Sequence, residues 1–600
     1  MVNTGCNGNS GQDMASLMDW FARLRSRLGP GIGSFVVSLF VLGLLLISCS
    51  AQPSAPAAAT AAPAAAPTVA AAPPAAPAPK TAPAAAPTPV TKAAPAQAAS
   101  AGGGTLRVGL RTDLDILDPH VMLDGFIVAQ MINAYEGLID IAPSGKVEPA
   151  LATSWDISPD GLVYTFKLRP NVNFTDGTPF NAEAAKFSIE RLLKLKKGNV
   201  RFVDPVKTVE ALGTDTLRLT LKAPYGPFLR GLWVVWMVSP TAVQKNTVGD
   251  DSGEKWLNEH TAGTGPYKLD SITRGSQMVF SRNAGYWRGW QGPHFDRVEL
   301  KAVREPGTHR LMMERGDLDI SLLFTSETLK AFRANPAIQV YKALVSDQHF
   351  MFLQMKDGPT TKPQVRQALN YLWDPDTYST LMEGELTASP GPLATDLLSV
   401  FGTKVNFPYR YDPAKAKQLL SEAGFPDGRG LKLKIALFGP DAVRKPMAEL
   451  YQQILAKAGI QADIELADWA AIRKIMVDYA KTGDPALHRD IFPFAVISRT
   501  GDPRELFKVL YHSGSAGGVG NNYTSYANPK VDDMIDRALS TTDEKEAASL
   551  VQQITQTLID DAPAIFGAAK FGAIPLRKEI KGYAQRPLTW ELLHWYELYR

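Results

Sequence analysis

Apolar and polar residues are arranged along this chain in three different ways, and the changes of pattern divide it. A nearly unbroken apolar run fills residues 35–47, interrupted only by Ser38 and Gly43 and preceded by Arg23, Arg25 and Arg27. From Ala51 to about Ala101 the sequence collapses to Ala and Pro with scattered Thr, as in Ala61-Ala62-Pro63-Ala64-Ala65-Ala66-Pro67. Such a stretch offers nothing to build a core from, and its prolines favour extended, polyproline-like backbone. After Gly102-Gly103-Gly104 the period becomes two, so Thr105-Leu106-Arg107-Val108-Gly109-Leu110 reads as a first strand, with a helical pattern over about 126–135. Pro159-Asp160-Gly161 is a tight turn feeding the alternating strand Val163–Leu168, and Asp176-Gly177 is a second turn. Asn181 then caps a helix predicted over 182–193, with Glu183 in its first turn.

The order of positive charge, apolar run and small residues at the N-terminus is that of a secretory signal. The run ends in Leu46-Ile47-Ser48-Cys49, which resembles the bacterial lipobox, where signal peptidase cuts before a cysteine that becomes diacylated. Cys49 is then the lipid-bearing first residue of the mature chain. An uncleaved anchor over residues 28–48 is the other reading, since that segment nearly reaches the ~20 residues needed to cross a bilayer. The polar stretch before Arg23 is long for a signal, and Met14 or Met18 is a candidate start. Either way the remainder lies outside the membrane, and the Ala/Pro segment is a tether that spans on the order of 150 Å at ~3 Å per residue when fully extended.

Composition narrows the function. A chain of 600 residues with 45% hydrophobic content is ordinary for a globular protein, and its net charge of +3 draws it to neither nucleic acid nor acidic lipid. Both cysteines, Cys6 and Cys49, precede the globular region, so that region forms no disulfide, no cysteine zinc site and no thiol nucleophile. The eight histidines include no pair at i, i+4 spacing, and no Walker loop, serine elbow or dinucleotide fingerprint occurs. The glycine-rich stretch at 513–520 lacks the Lys-Ser/Thr of a phosphate loop and reads as a surface loop. No enzyme, cofactor or metal site is expected.

From Pro149 onward a series of short motifs becomes recognisable. Pro149-Ala150-Leu151-Ala152-Thr153-Ser154-Trp155, Ser158-Pro159-Asp160-Gly161 and Phe174-Thr175-Asp176-Gly177-Thr178-Pro179-Phe180 are followed in order by Gly263-Thr264-Gly265-Pro266-Tyr267, Gly316-Asp317-Leu318-Asp319-Ile320, Tyr411-Asp412-Pro413 and Asp561-Ala562-Pro563. Together, across roughly 500 residues, they resemble the family 5 extracellular solute-binding proteins, the peptide-, nickel- and opine-type binding components of ABC importers. The resemblance implies a two-lobed α/β fold of the type II periplasmic-binding class, with a double hinge and an extra subdomain on lobe I. By matching segments, 1–48 is the signal, 49–102 the tether, 103–349 lobe I with the extra subdomain near 146–236, 350–566 lobe II, and 567–600 the return to lobe I. The crossovers fall near His349 to Gln354 and Phe566 to Lys570. Closure of the lobes on a small molecule and docking of a monomer on membrane permease subunits are the implied mechanism. An exported glycan hydrolase using Asp113, Asp115 or Asp118, and a receptor for a membrane sensor, are the rival readings.

Candidate ligand contacts follow from the same comparison. Asp118 and His120 lie in a loop that faces the cleft in the family, although turn-forming, solvated carboxylates are the plainer reading of Asp113, Asp115 and Asp118. Trp233, Trp236 and Phe352 are aromatic candidates, with core packing as their ordinary role. Trp469 resembles a pocket tryptophan. Where peptide-binding members carry an aspartate for the peptide ammonium, this chain has Arg499, followed by Thr500, and the reversed charge suits a carboxylate, phosphate or sulfonate. A one-residue slip, or pairing of Arg499 with Asp502, is the competing reading.

Overall fold

Two long strands organise the molecule. In this computed structural model, which describes residues 103–600 apart from 112–114, 123–124, 390, 440, 442, 499, 587–590 and the side chains of 343–346, the strands Ile338–Leu353 and Ala564–Arg577 run antiparallel along their whole length. The apolar run, the tether, Cys49, Asp113 and Arg499 lie outside the described residues. Register between the long strands shifts between Leu344 and Gln348 and again between His349 and Phe350. There the neighbours change. Residues 347–353 take Ile491–Ile497 as their second partner, whereas Leu576 of the other strand pairs with Ile320. This change starts a few residues before the expected 349–354.

One sheet of eleven strands therefore runs through both lobes. In lobe II, Lys432–Phe438 lies parallel to Gln461–Ala467 and to Ile491–Ile497. In lobe I, Thr105–Leu110 lies parallel to Arg297–Ala302 and Ile320–Ser321. Parallel pairing requires crossover connections, and here helices such as Arg444–Lys457 and Pro306–Arg315 supply them and cover the sheet faces. A separate four-stranded antiparallel sheet, with Val163–Leu168 and Thr216–Leu221 at its centre, forms the extra layer of lobe I. The helix Ala182–Leu195 packs on it, and the Oδ1 of Asn181 accepts from the Ala184 N–H at 3.0 Å, the cap the sequence predicts.

The chain returns to lobe I to finish its core. Trp595 is completely buried, 5.7 Å from the ring of Tyr267 and 5.1 Å from that of Phe280. At the crossover the long strands approach unusually closely: a Cβ at Gly567 would fall 2.6 Å from the His349 carbonyl oxygen and 2.5 Å from the Met447 methyl. The methyl can move, but the carbonyl is held in the ladder. Gly567→Ala is expected to lower the unfolding free energy by about 1–3 kcal/mol through overpacking, read from the urea midpoint; an unchanged midpoint would mean that the two strands separate there without cost.

Candidate functional site

Where the lobes face each other they enclose a cavity of about 530 Å³, within the range that accommodates a small organic ligand. Strand alternation decides what lobe II presents to it. Asp347 and His349 are cross-strand partners of Ile497 and Ala495, and all four line the cavity. Asp441 and Arg444 join them from the start of the helix Arg444–Lys457, and Lys570 from the returning strand. Lobe I contributes a different surface: Phe126, Val128, Phe202, Trp233 and Val234 form most of its wall, with Arg111, Asn199 and Glu591 beside them.

The three carboxylates of this lining are already engaged. The Nε2 of His349 lies 3.2 Å from Asp347. Asp441 accepts from the backbone N–H groups of Val443 at 3.0 Å and Arg444 at 2.5 Å, and from the Arg444 Nη2 at 2.6 Å. Across the cleft Arg111 lies 3.0 Å from Glu591. Burial works to raise the carboxyls of Asp347 and Asp441, yet His349, Lys570 and Arg444 hold the first below its ordinary range, and the Arg444 backbone and guanidinium hold the second there. The cations are less completely matched. Among the described residues Lys570 has neither a hydrogen-bond acceptor for its ammonium nor an ion pair, and its influence reaches Asp347 only through space. Arg444 stacks at 3.9 Å over Phe438, and its buried Nε has no acceptor. Spare donors in a half-closed cavity are what an anionic group needs.

The sequence-selected residues are distributed unevenly around this cavity. Trp233 lines it. Trp236 does not: it is buried and stacked at 6.1 Å on Tyr135, as core packing requires. Phe352 points away from the cavity, because it alternates with Asp347 and His349, and packs 5.8 Å from Phe494 in the lobe II core. Trp469 follows its helix cap Asp468, rests 4.7 Å from Phe438 and keeps 39% of its surface exposed, yet it stands outside the cavity lining.

Asp118 and His120 differ most from expectation. Both are completely buried, neither solvated nor facing the cleft, because Arg191 of the capped helix claims them. Its Nη1 and Nη2 donate to the two oxygens of Asp118 at 3.0 and 2.5 Å, and Nη1 also lies 2.9 Å from the His120 Nδ1. The His120 Nε2 is 2.9 Å from the Trp236 carbonyl oxygen. A guanidinium only donates and a carbonyl only accepts, so His120 is the neutral tautomer with its proton on Nε2. Burial, and then Arg191, pull its pKa down to about 4.

Thr500 is buried at a contact between the lobes. Its hydroxyl donates to Glu505 at 2.6 Å, its carbonyl accepts from the Arg230 Nε at 3.3 Å, and the Tyr225 hydroxyl donates to Glu505 at 2.8 Å. Burial pushes the Glu505 carboxyl up. Asp502, the carboxylate considered as a partner for Arg499, is gripped by Arg504 through Nε at 2.9 Å and Nη2 at 2.6 Å. Sequence reasoning passed over Asp347, His349, Asp441, Arg444 and Lys570; the period of two running back from Phe350 and Phe352 was the available signal for the first two.

The family model for bacterial extracellular solute-binding proteins, family 5 Middle, matches residues 146–521. A probable D,D-dipeptide-binding periplasmic protein of Escherichia coli (strain K12) is 28% identical over 505 residues, covering 82% of this chain and 94% of the relative. A glutathione-binding protein of Pectobacterium atrosepticum is 28% identical over 479 residues, covering 79% and 90%. Among solved structures, HbpA2 from Haemophilus parasuis superposes with a TM-score of 0.73 at 24% identity, covering 82% of this chain and 99% of its own.

Proposed function

Since the chain belongs to the bacterial extracellular solute-binding proteins of family 5, whose members serve ABC importers as binding proteins and not as enzymes, we propose that it captures a small organic solute bearing an acidic group and delivers it to a membrane permease. The observation that carries the acidic group is the state of the cleft: its carboxylates are matched, and Lys570 and Arg444 retain donors. Glutathione and dipeptides, named for two relatives, are themselves carboxylates. The hydrolase reading loses its best carboxylate, because Asp118 is closed off by Arg191.

A thermal-shift screen across blocked peptides, dicarboxylates, sugars and neutral amides tests the reading. Acid-bearing compounds are expected to raise the melting temperature with the logarithm of ligand excess, a stabilisation of about 2.7 kcal/mol at a hundredfold excess over Kd. Stabilisation by sugars or amides, with none by acids, overturns it.

The delivery site is extracytoplasmic, and we place the protein on a lipid anchor at Cys49. Two acyl chains hold a protein at a membrane where one does so only marginally. Mass spectrometry of the mature N-terminus is expected to find a diacylated Cys49 as the first residue; an unacylated chain that keeps residues 35–47 argues for the uncleaved apolar anchor instead.

A further inference from the structure

The two walls of the cleft differ in chemistry. Lobe I presents Phe126, Val128, Phe202 and Trp233, and its charged neighbours Arg111 and Glu591 pair with each other at 3.0 Å. On lobe II the charges gather, on Asp347, His349, Asp441, Arg444 and Lys570, with Val443, Ala495, Ile497 and Ser498 between them. A sugar needs hydrogen-bond partners all around its rim, which the first wall offers only at Arg111, Asn199 and Glu591, and a small dicarboxylate would leave that wall uncovered. We infer that the ligand is an amphipathic organic acid, whose apolar, ring-sized body lies on lobe I while its acidic group is taken by Lys570 and Arg444 of lobe II. This inference rests on the cleft being the binding site.

The arrangement divides the labour of capture. Apolar contact is non-directional and needs one wall only, so lobe I holds the body while the lobes are apart. The acidic group gains its charge-assisted bonds only when lobe II arrives, which ties closure to the presence of the acid. A neutral analogue is therefore a ligand that binds without closing.

The test is calorimetry on the full mature chain with phenylpropionate, its amide phenylpropionamide, the longer phenylpentanoate, and glutarate, an acid without an apolar body, together with small-angle scattering to read closure. Phenylpropionate is expected to bind at least tenfold more tightly than the amide or glutarate and to reduce the radius of gyration, which the amide leaves unchanged. Each added methylene is expected to tighten binding about fourfold. Lys570→Met, which stays folded because the side chain makes no structural bond, is expected to abolish the preference for acid over amide. Equal binding of amide and acid by the wild type, or a preference that survives in both Lys570→Met and Arg444→Met, overturns the inference. Ala495→Trp, which fills the cavity, separates the ligand's class from the location of its site. If it abolishes binding while the acid preference ignores Lys570 and Arg444, only the inference fails; if acids bind it as before, the cleft is not the site and the proposed function fails with it.

Discussion

Replacing Asp118 by alanine is expected to lower the unfolding free energy by about 3–5 kcal/mol, although the residue touches neither solvent nor the cleft. The loss arises from what is left behind. Arg191 keeps two bonds, from its Nε to the Ser252 carbonyl and from its Nη1 to the His120 Nδ1, both at 2.9 Å, but its charge stays buried without a counterion. Asp118→Asn preserves shape but not charge and is expected to lose nearly as much. The double variant Asp118→Ala/Arg191→Met removes both charges and is expected to recover a large part of the loss, because a matched apolar pair avoids the desolvation that an ion pair must offset. Urea denaturation of the four proteins checks this. A single variant that loses less than about 1 kcal/mol would mean that water reaches Arg191.

Acid is expected to weaken the fold through its buried histidines. The pKa of His120 is pulled down to about 4 and that of His594 to about 3, in each case first by burial and then by a neighbouring arginine. As pH falls below 6.5, the unfolded chain takes up protons at these rings while the folded chain does not. Each therefore subtracts stability at about 1.4 kcal/mol per pH unit, from 6.5 down to its own folded pKa. For His120 the sum is about 3 kcal/mol near pH 4. Glu136 and Glu505, whose carboxyls are raised by burial, titrate in the opposite sense over part of the same window, so the total curve is shallow. The comparison that isolates His120 is His120→Gln, which can still donate to the Trp236 carbonyl. Its stability is expected to change less steeply than wild type between pH 4 and 6.5, by about 1.4 kcal/mol per unit. Parallel curves would show that His120 takes up its proton in the folded state.

What the sequence shows directly is what short-range chemistry determines. Asn181 is a cap because its amide meets an N–H three residues on, and Val163–Leu168 is a strand because its period is two and a turn precedes it. The crossovers were expected near 349–354 and 566–570 because the ordered motifs bracket them. What it does not show is set by partners far away. Asp118 meets Arg191 across 73 residues, so a loop that reads as solvated is in fact the counterion of a helix. The cleft failed in another way. Phe352 drew attention to the right strand, yet the bulge and the pleat turn it into the core and turn Asp347 and His349 to the cavity. Arg444 and Lys570 carry no motif, and only the sheet brings them to one wall.

The burial of Trp595 between Tyr267 and Phe280 sets an order of events in synthesis. Lobe II is one uninterrupted span of chain and closes its own contacts as it emerges, whereas lobe I begins near residue 103 and lacks its central indole until residue 595 has been made. Throughout that interval its first strands are held by a core with a hole the size of a tryptophan, which costs a fold about 3–5 kcal/mol. Lobe I therefore completes its core only after the segment carrying Trp595 has been made, well behind its own first strands and the whole of lobe II.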